Sequence, residues 1–128
     1  MEKNKALLTQ RRRRETTNGD AISVGSRLDA DNAKRFARSM TKLVDSGLRE
    51  CIIDMSQTTA VDSSGFGSLV AAVRKIGDVG GVVAIVCKDA TVRRLFEIAG
   101  LTRLVPIVGR MEDARSIMAG FQRAALAS

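Results

Sequence analysis

Asp62-Ser63-Ser64-Gly65 is the stretch of this sequence whose residue types and spacing could do chemistry. A serine hydroxyl can accept a phosphoryl group. At the start of a helix it also lies close to unpaired backbone amides and the positive end of the helix dipole. A phosphate is well tolerated there, yet it adds about −1.5 to −2 charge to the surface around it. That combination suits a reversible switch. Gly65 and Gly67 keep the helix start free of side-chain bulk, so a partner surface could approach closely. Asp62 can cap the helix, orient Ser63 or contact a partner. The same residues also read as a plain Asp or Ser cap with glycines for a tight turn, and the tetrapeptide alone favours that simpler reading.

The flanking patterns place this stretch where a loop becomes a helix. Upstream, Cys51-Ile52-Ile53-Asp54-Met55 reads as a strand. Downstream, Phe66, Leu69, Val70, Val73 and Ile76 recur at helical spacing, with Phe66 and Leu69 anchoring the inward face and Gly77 to Gly81 closing the helix. Around this centre, strands and helices alternate. Lys5 to Arg13 reads as a first strand, followed by a turn at Thr16-Thr17-Asn18-Gly19-Asp20, and Ala21 to Gly25 as a second strand. Ala33, Phe36, Ala37, Met40, Leu43 and Val44 form a helical stripe that Asp29 or Asp31 could cap and Gly47 ends. Val82 to Cys87 is a continuous apolar run, typical of a strand buried on both faces. Ala90 to Ala99 is expected to be a short helix with Val92, Leu95, Phe96 and Ala99 inward, stopped at Gly100. Leu104 to Val108 is a last strand, which Pro106 assigns to an edge. Glu112-Asp113 open a final helix packed through Ile117, Met118, Phe121, Ala125 and Leu126. This order predicts an α/β domain with a mostly parallel central sheet of about four to five strands and about four helices. It spans residues 21–128, after a basic arm or edge strand and turn over residues 1–20.

Composition narrows the function. The chain has 128 residues, 45% of them apolar, which suits one soluble domain with a single core. No apolar run reaches the ~18 residues of a membrane span, and the start lacks an export signal. Cys51 and Cys87 fall in apolar strand-like runs and read as buried free thiols, which fits the cytoplasm. The sequence contains no histidine, which removes His-dependent triads and most transition-metal sites. No metal, cofactor or enzymatic activity is expected. The net charge is +7, and Arg11 to Arg14 form a basic run near the N-terminus, to which Lys3 and Lys5 add. A solvated arm or charged edge strand is preferred there over nucleic-acid contact, because no nucleic-acid motif accompanies the arginines. Arg93-Arg94 reads as a solvated face, and Gly77-Asp78-Val79-Gly80-Gly81 lacks the Gly-Lys-Ser/Thr ending of a phosphate-binding loop. Thr58, Thr59 and Ser64 are weaker hydroxyl candidates than Ser63.

Val61-Asp62-Ser63-Ser64-Gly65-Phe66-Gly67, with Leu69 beyond, resembles the signature of STAS domains, especially of bacterial anti-sigma factor antagonists. Arg27-Leu28-Asp29-Ala30-Asp31-Asn32-Ala33 resembles the same family's segment entering its first helix. Val92-Arg93-Arg94-Leu95-Phe96-Glu97-Ile98-Ala99-Gly100-Leu101 is similar to its penultimate helix, and Glu112-Asp113-Ala114 to the opening of its last. Together these segments cover the chain from about Ala21 onward, and they shift the balance toward the switch. One departure is that the glycine usual two positions before Leu28 is Ser26 here, with Gly25 shifted by one. The basic arm is also unusual for the family.

The resemblance implies partner switching in bacterial signalling. The unphosphorylated domain would bind an anti-sigma factor that is also a serine kinase of the histidine-kinase-like ATPase fold, and so free the sigma factor for transcription. Phosphorylation of Ser63, the serine after the motif aspartate, would end binding, and a PP2C-type phosphatase would restore it. Asp62, Ser63, Ser64, Gly65 and Gly67 would form the partner-binding surface. The ATP would belong to the kinase. The alternative is a constitutive scaffold subunit of the same fold, as in a stressosome or a lipid-transport ABC complex, binding without modification.

Overall fold

The computed structural model describes residues 21–127 of the chain. The strand expected at Lys5–Arg13, the turn at Thr16–Asp20 and the Arg11–Arg14 run lie outside the described residues.

Period-two alternation builds the centre of the fold. β1 (Ala21–Ser23) is followed by the two-residue β2 (Arg27–Leu28), then by β3 (Glu50–Met55) after the first helix. Cys51, Ile53 and Met55 point to one side of β3 and Ile52 to the other, all with no exposure. β4 (Ala60–Val61) and β5 (Val82–Cys87) follow. On β5, Val83, Ile85 and Cys87 share the first side, while Ala84 and Val86 share the second. A strand covered on both faces needs this unbroken apolar run. The last strand, β6 (Ile107–Val108), pairs with β5 at the sheet edge, which agrees with the expectation from Pro106. Among the described residues the main sheet has four parallel strands in the order β1-β3-β5-β6, with Ala21 beside Ile52 and Ile52 beside Ala84. β2 and β4 form a separate short parallel ladder.

Parallel strands require crossovers, and four helices are described: α1 (Ala33–Asp45), α2 (Ser63–Asp78), α3 (Ala90–Ile98) and α4 (Met111–Ala127). The strand order advances one way across the sheet, so crossovers of one hand place α1, α2 and α3 on the same face. Phe36, Met40 and Val44 of α1, Leu69, Val73 and Ile76 of α2, and Val92 and Phe96 of α3 all pack into that core. Full burial of each such side chain is worth about 1.5–3 kcal/mol. α4 covers the opposite face through Ala114 and Met118, with Met111 and Ile117 packed beside them. Both cysteines are buried, and burial pushes the Cys87 thiol above its ordinary pKa. No helix among the described residues is long and apolar enough to cross a membrane.

Several local expectations change. Asn32, not Asp29 or Asp31, occupies the cap position of α1, and its side chain makes no cap bond. Its amide bonds backward instead, donating to Arg27 O at 2.9 Å, while its Oδ1 accepts from Asp29 N at 2.8 Å. The chain entering α1 therefore folds on itself as a turn. At the other end Gly47 does stop the helix: with φ +106°, it lets Leu48 N donate to Leu43 O at 2.9 Å and close the last carbonyls. Leu95 and Ala99 on α3 are exposed rather than inward, because the short helix buries only Val92 and Phe96. The strand expected from Leu104 begins only at Ile107. Leu101–Arg103 winds into a 3-10 turn that buries Leu101, with Val105 buried just beyond it. α4 outruns the sheet it covers, so Ala125 and Leu126 are exposed, Leu126 at 87%. The predicted second strand stops at Ser23, before Gly25 turns with φ +94°.

Candidate functional site

The site forms where β4 hands over to α2. Asp62 lies in extended backbone (φ −99°, ψ −175°) and its carbonyl accepts the first helical bond, from Phe66 N at 2.8 Å. Its Oδ1 accepts from Gly65 N at 2.8 Å, satisfying one of the helix's unpaired donors. Its second oxygen, Oδ2, accepts from Ala30 N at 3.1 Å, in the loop that leads into α1. One carboxylate thus ties two separate segments. The Gly65 bond holds the Asp62 carboxyl below its ordinary pKa, with Ala30 adding to the effect. Of the three roles open to Asp62 from sequence, capping is the one the geometry displays.

Ser63 is the first residue of α2 and is exposed. Among the described residues its hydroxyl makes no hydrogen bond. Ser64 beside it is exposed as well, and so is Gly67, where an added Cβ would meet open space. Asp62, Ser63, Ser64 and Gly67 therefore share one accessible surface at the helix start. Gly65 does not. It is buried, and a Cβ there would lie 1.9 Å from the backbone oxygen of Leu28. Its missing side chain lets α2 sit directly on β2, so the glycine is required by internal packing rather than by room for a partner. Asp62 N donates to Leu28 O at 3.2 Å, which fixes the same approach.

The anchoring residues sit just beyond. Leu69 is fully buried, and the Phe66 ring lies 6.1 Å from that of Phe96 on α3, tilted by 37°. Phe66 thereby holds α2 to its neighbour. Ser68 is occupied internally, its hydroxyl donating to Gly65 O at 2.8 Å. The other hydroxyls separate cleanly. Thr58 is completely buried and donates to Gly25 O at 2.6 Å, so its role is structural, while Thr59 is exposed. Asp89 caps α3 through Val92 N at 3.0 Å, and Arg93 donates to Cys87 O at 2.9 Å. Both side chains are thus engaged within the fold. Among the described residues no group of His, Cys, Asp and Glu could hold a metal ion.

Sequence reasoning gave the loop Asp29–Asn32 no place at the site, although it quoted the segment. Its Asp-Ala-Asp-Asn composition signals a turn, but nothing in the sequence shows that Asp62 reaches it across thirty-two residues of chain.

The family model described as STAS domain matches residues 12–114. The chain belongs to the STAS family. A Thermotoga neapolitana protein, named as a homolog of the anti-sigma factor antagonist TM1081, is 26% identical over 88 residues, covering 68% of this chain and 78% of that protein. The crystal structure of TM1081 itself, from Thermotoga maritima, superposes with a TM-score of 0.72 at 22% identity. It covers 78% of this STAS chain and 88% of its own. The Bacillus cell fate determinant SpoIIAA, solved in its phosphorylated form, superposes with a TM-score of 0.60 at 21% identity over 73% of this chain and 85% of that one. At these identities the structural likeness is one of fold.

Proposed function

We propose that this STAS domain is an anti-sigma factor antagonist that works by partner switching, with Ser63 as its phosphorylated residue. The unmodified surface of Asp62, Ser63, Ser64 and Gly67 binds an anti-sigma factor that is also a serine kinase of the histidine-kinase-like ATPase fold, and the sigma factor is released. The observation that carries this reading is the exposed hydroxyl of Ser63, unbonded among the described residues, at the head of a helix whose cap, Asp62, is held at both oxygens. A rigid platform presenting a free nucleophile suits a kinase substrate. The SpoIIAA fold relative, solved phosphorylated, supports it from outside.

The chemistry needs nothing from this chain beyond that hydroxyl. Ser63 Oγ attacks the γ-phosphorus of ATP held by the kinase, and an O–P bond forms as the β–γ bond breaks. ADP leaves, and the hydroxyl proton passes to a base on the kinase. Hydrolysis of the phosphoserine by a PP2C-type phosphatase returns the hydroxyl and inorganic phosphate. In the bound complex the phosphate would meet desolvation cost and any partner carboxylate. Losing about 3 kcal/mol weakens binding more than a hundredfold, enough to reverse the choice of partner. The chain's own residues position, expose and then carry the charge, so the protein is read as a binding partner and substrate, not an enzyme, acting in the cytoplasm.

Mass spectrometry of the chain recovered from cells tests the modification. Phosphate on the peptide containing Ser63, absent in Ser63→Ala and removed by a PP2C-type phosphatase, is the expected result. Stoichiometrically unmodified Ser63 under every growth condition, with partners still bound, would favour the constitutive scaffold instead.

A further inference from the structure

The Asp62 carboxylate does more than cap a helix. Oδ1 serves α2 through Gly65 N, while Oδ2 holds the amide of Ala30 at 3.1 Å. Ala30 sits in a self-contained turn. Asn32 N and Ala33 N both donate to Asp29 O, Asp31 N donates to Asp29 Oδ1 at 3.0 Å, and Arg27 pairs with Asp29 at 3.1 Å. The turn is thus a compact unit, strapped to the switch helix from Ala30 to Asp62. Ala30 and Asp31 are exposed beside Ser63, so the turn and the first turn of α2 present one continuous surface.

Ser63 adjoins Asp62 in the chain. A phosphoryl group on its oxygen brings about −1.5 to −2 charge next to this carboxylate and offers three strong acceptor oxygens to the same unpaired helix amides. Two anions then compete for one set of donors. The helix keeps its share whichever anion caps it, whereas Ala30 N donates to Asp62 Oδ2 and loses that bond when the carboxylate swings away.

The geometry points to Asp62 as a strap that couples the charge state of Ser63 to the Asp29–Asn32 turn, so that phosphorylation loosens this turn while α2 stays formed. This inference rests on Ser63 being the modified residue. It adds that the switch remodels a second segment, so a partner reads Asp29–Asn32 as well as the phosphate. Asp62 acts here as a positioning residue.

The test is residue-resolved amide hydrogen exchange by NMR on the full chain in four forms: unmodified, with phosphoserine installed at position 63 by genetic-code expansion, Ser63→Ala, and Asp62→Asn. Asparagine keeps one acceptor oxygen for the Gly65 amide but has none left for Ala30. We expect Ala30 exchange to rise about tenfold in both the phosphorylated and Asp62→Asn forms, the size of losing one charge-assisted hydrogen bond, with Leu69 to Ile76 protected as before and Ser63→Ala unchanged. Ala30 protection that is unaltered by phosphoserine overturns the coupling, whether or not Asp62→Asn loosens the turn. Loss of protection throughout α2 on phosphorylation overturns it too, because the loosening would then not be local. The phosphate is installed rather than acquired from a kinase, so this result stands apart from whether cells modify Ser63.

Discussion

At the residue scale, two glycines two positions apart at the start of α2 have opposite reasons to exist. Gly65 meets the Leu28 backbone, whereas Gly67 faces open space. Gly65→Ala is therefore expected to cost about 3 kcal/mol or more, because backbone rather than a flexible side chain must yield. Gly67→Ala should stabilise by up to about 1 kcal/mol through helix propensity alone. Urea denaturation of the two variants checks both, and equal effects would contradict the packing described. Any loss of partner binding in Gly67→Ala, measured on a stably folded protein, would then report on surface contact. From sequence, both glycines looked like room for a partner. Spacing cannot show that one of them lies against a strand thirty-seven residues earlier.

Asp62 gives a pH prediction with a definite sign. Its carboxyl titrates below the ordinary value of 3.8 in the folded chain, chiefly through the Gly65 amide. The ionised form thus stabilises the fold. That contribution is fully present above pH 3.8 and is lost as pH falls through the lower folded value. Denaturation midpoints of wild type and Asp62→Asn at low ionic strength should differ by a constant amount from neutral pH to near 3.8. Below that the gap should close. A gap that persists unchanged to about pH 2 would show that the charge contributes nothing.

At the element scale, helices whose apolar stripe was long and regular were legible, and short or overhanging ones were not. Ala33, Phe36, Met40 and Val44 lie buried as the stripe on α1 required. α3 has only nine residues and contacts the core through Val92 and Phe96, so Leu95 sits at its margin. α4 keeps its amphipathic pattern past the end of the sheet, where Leu126 is exposed among the described residues. Pattern alone does not say where a partner surface ends. Met118→Ala should accordingly cost about 2–5 kcal/mol, since Met118 is 6% exposed in the second core. Leu126→Ala should stay within about 0.5 kcal/mol of wild type. Thermal unfolding of the pair measures the difference, and comparable losses would mean that the end of α4 is packed against something.

At the scale of the whole molecule, one parallel sheet puts the heads of α1 and α2 side by side. That is why a single carboxylate can touch both. The alternation of strands and helices made the α/β class readable, because a strand buried on both faces leaves an unbroken apolar run such as Val82–Cys87. The position of Ser63 at a helix head was readable for the same reason: the strand and helix patterns on either side of it were strong. The contact between loops was not, since hydrogen bonds across distant segments leave no periodic trace. The residues that would carry the switch occupy one small corner of the scaffold. Under the proposed switch, partner choice would turn on charge at that corner.

The most direct test of the switch is a pull-down from the source organism's lysate with wild-type, Ser63→Ala and Ser63→Asp baits, read by quantitative mass spectrometry. A histidine-kinase-like anti-sigma factor captured by wild type and Ser63→Ala, and lost with Ser63→Asp, is the predicted result. Equal capture of that partner by all three baits, each verified as folded, would contradict the phospho-switch and leave a constitutive scaffold in its place.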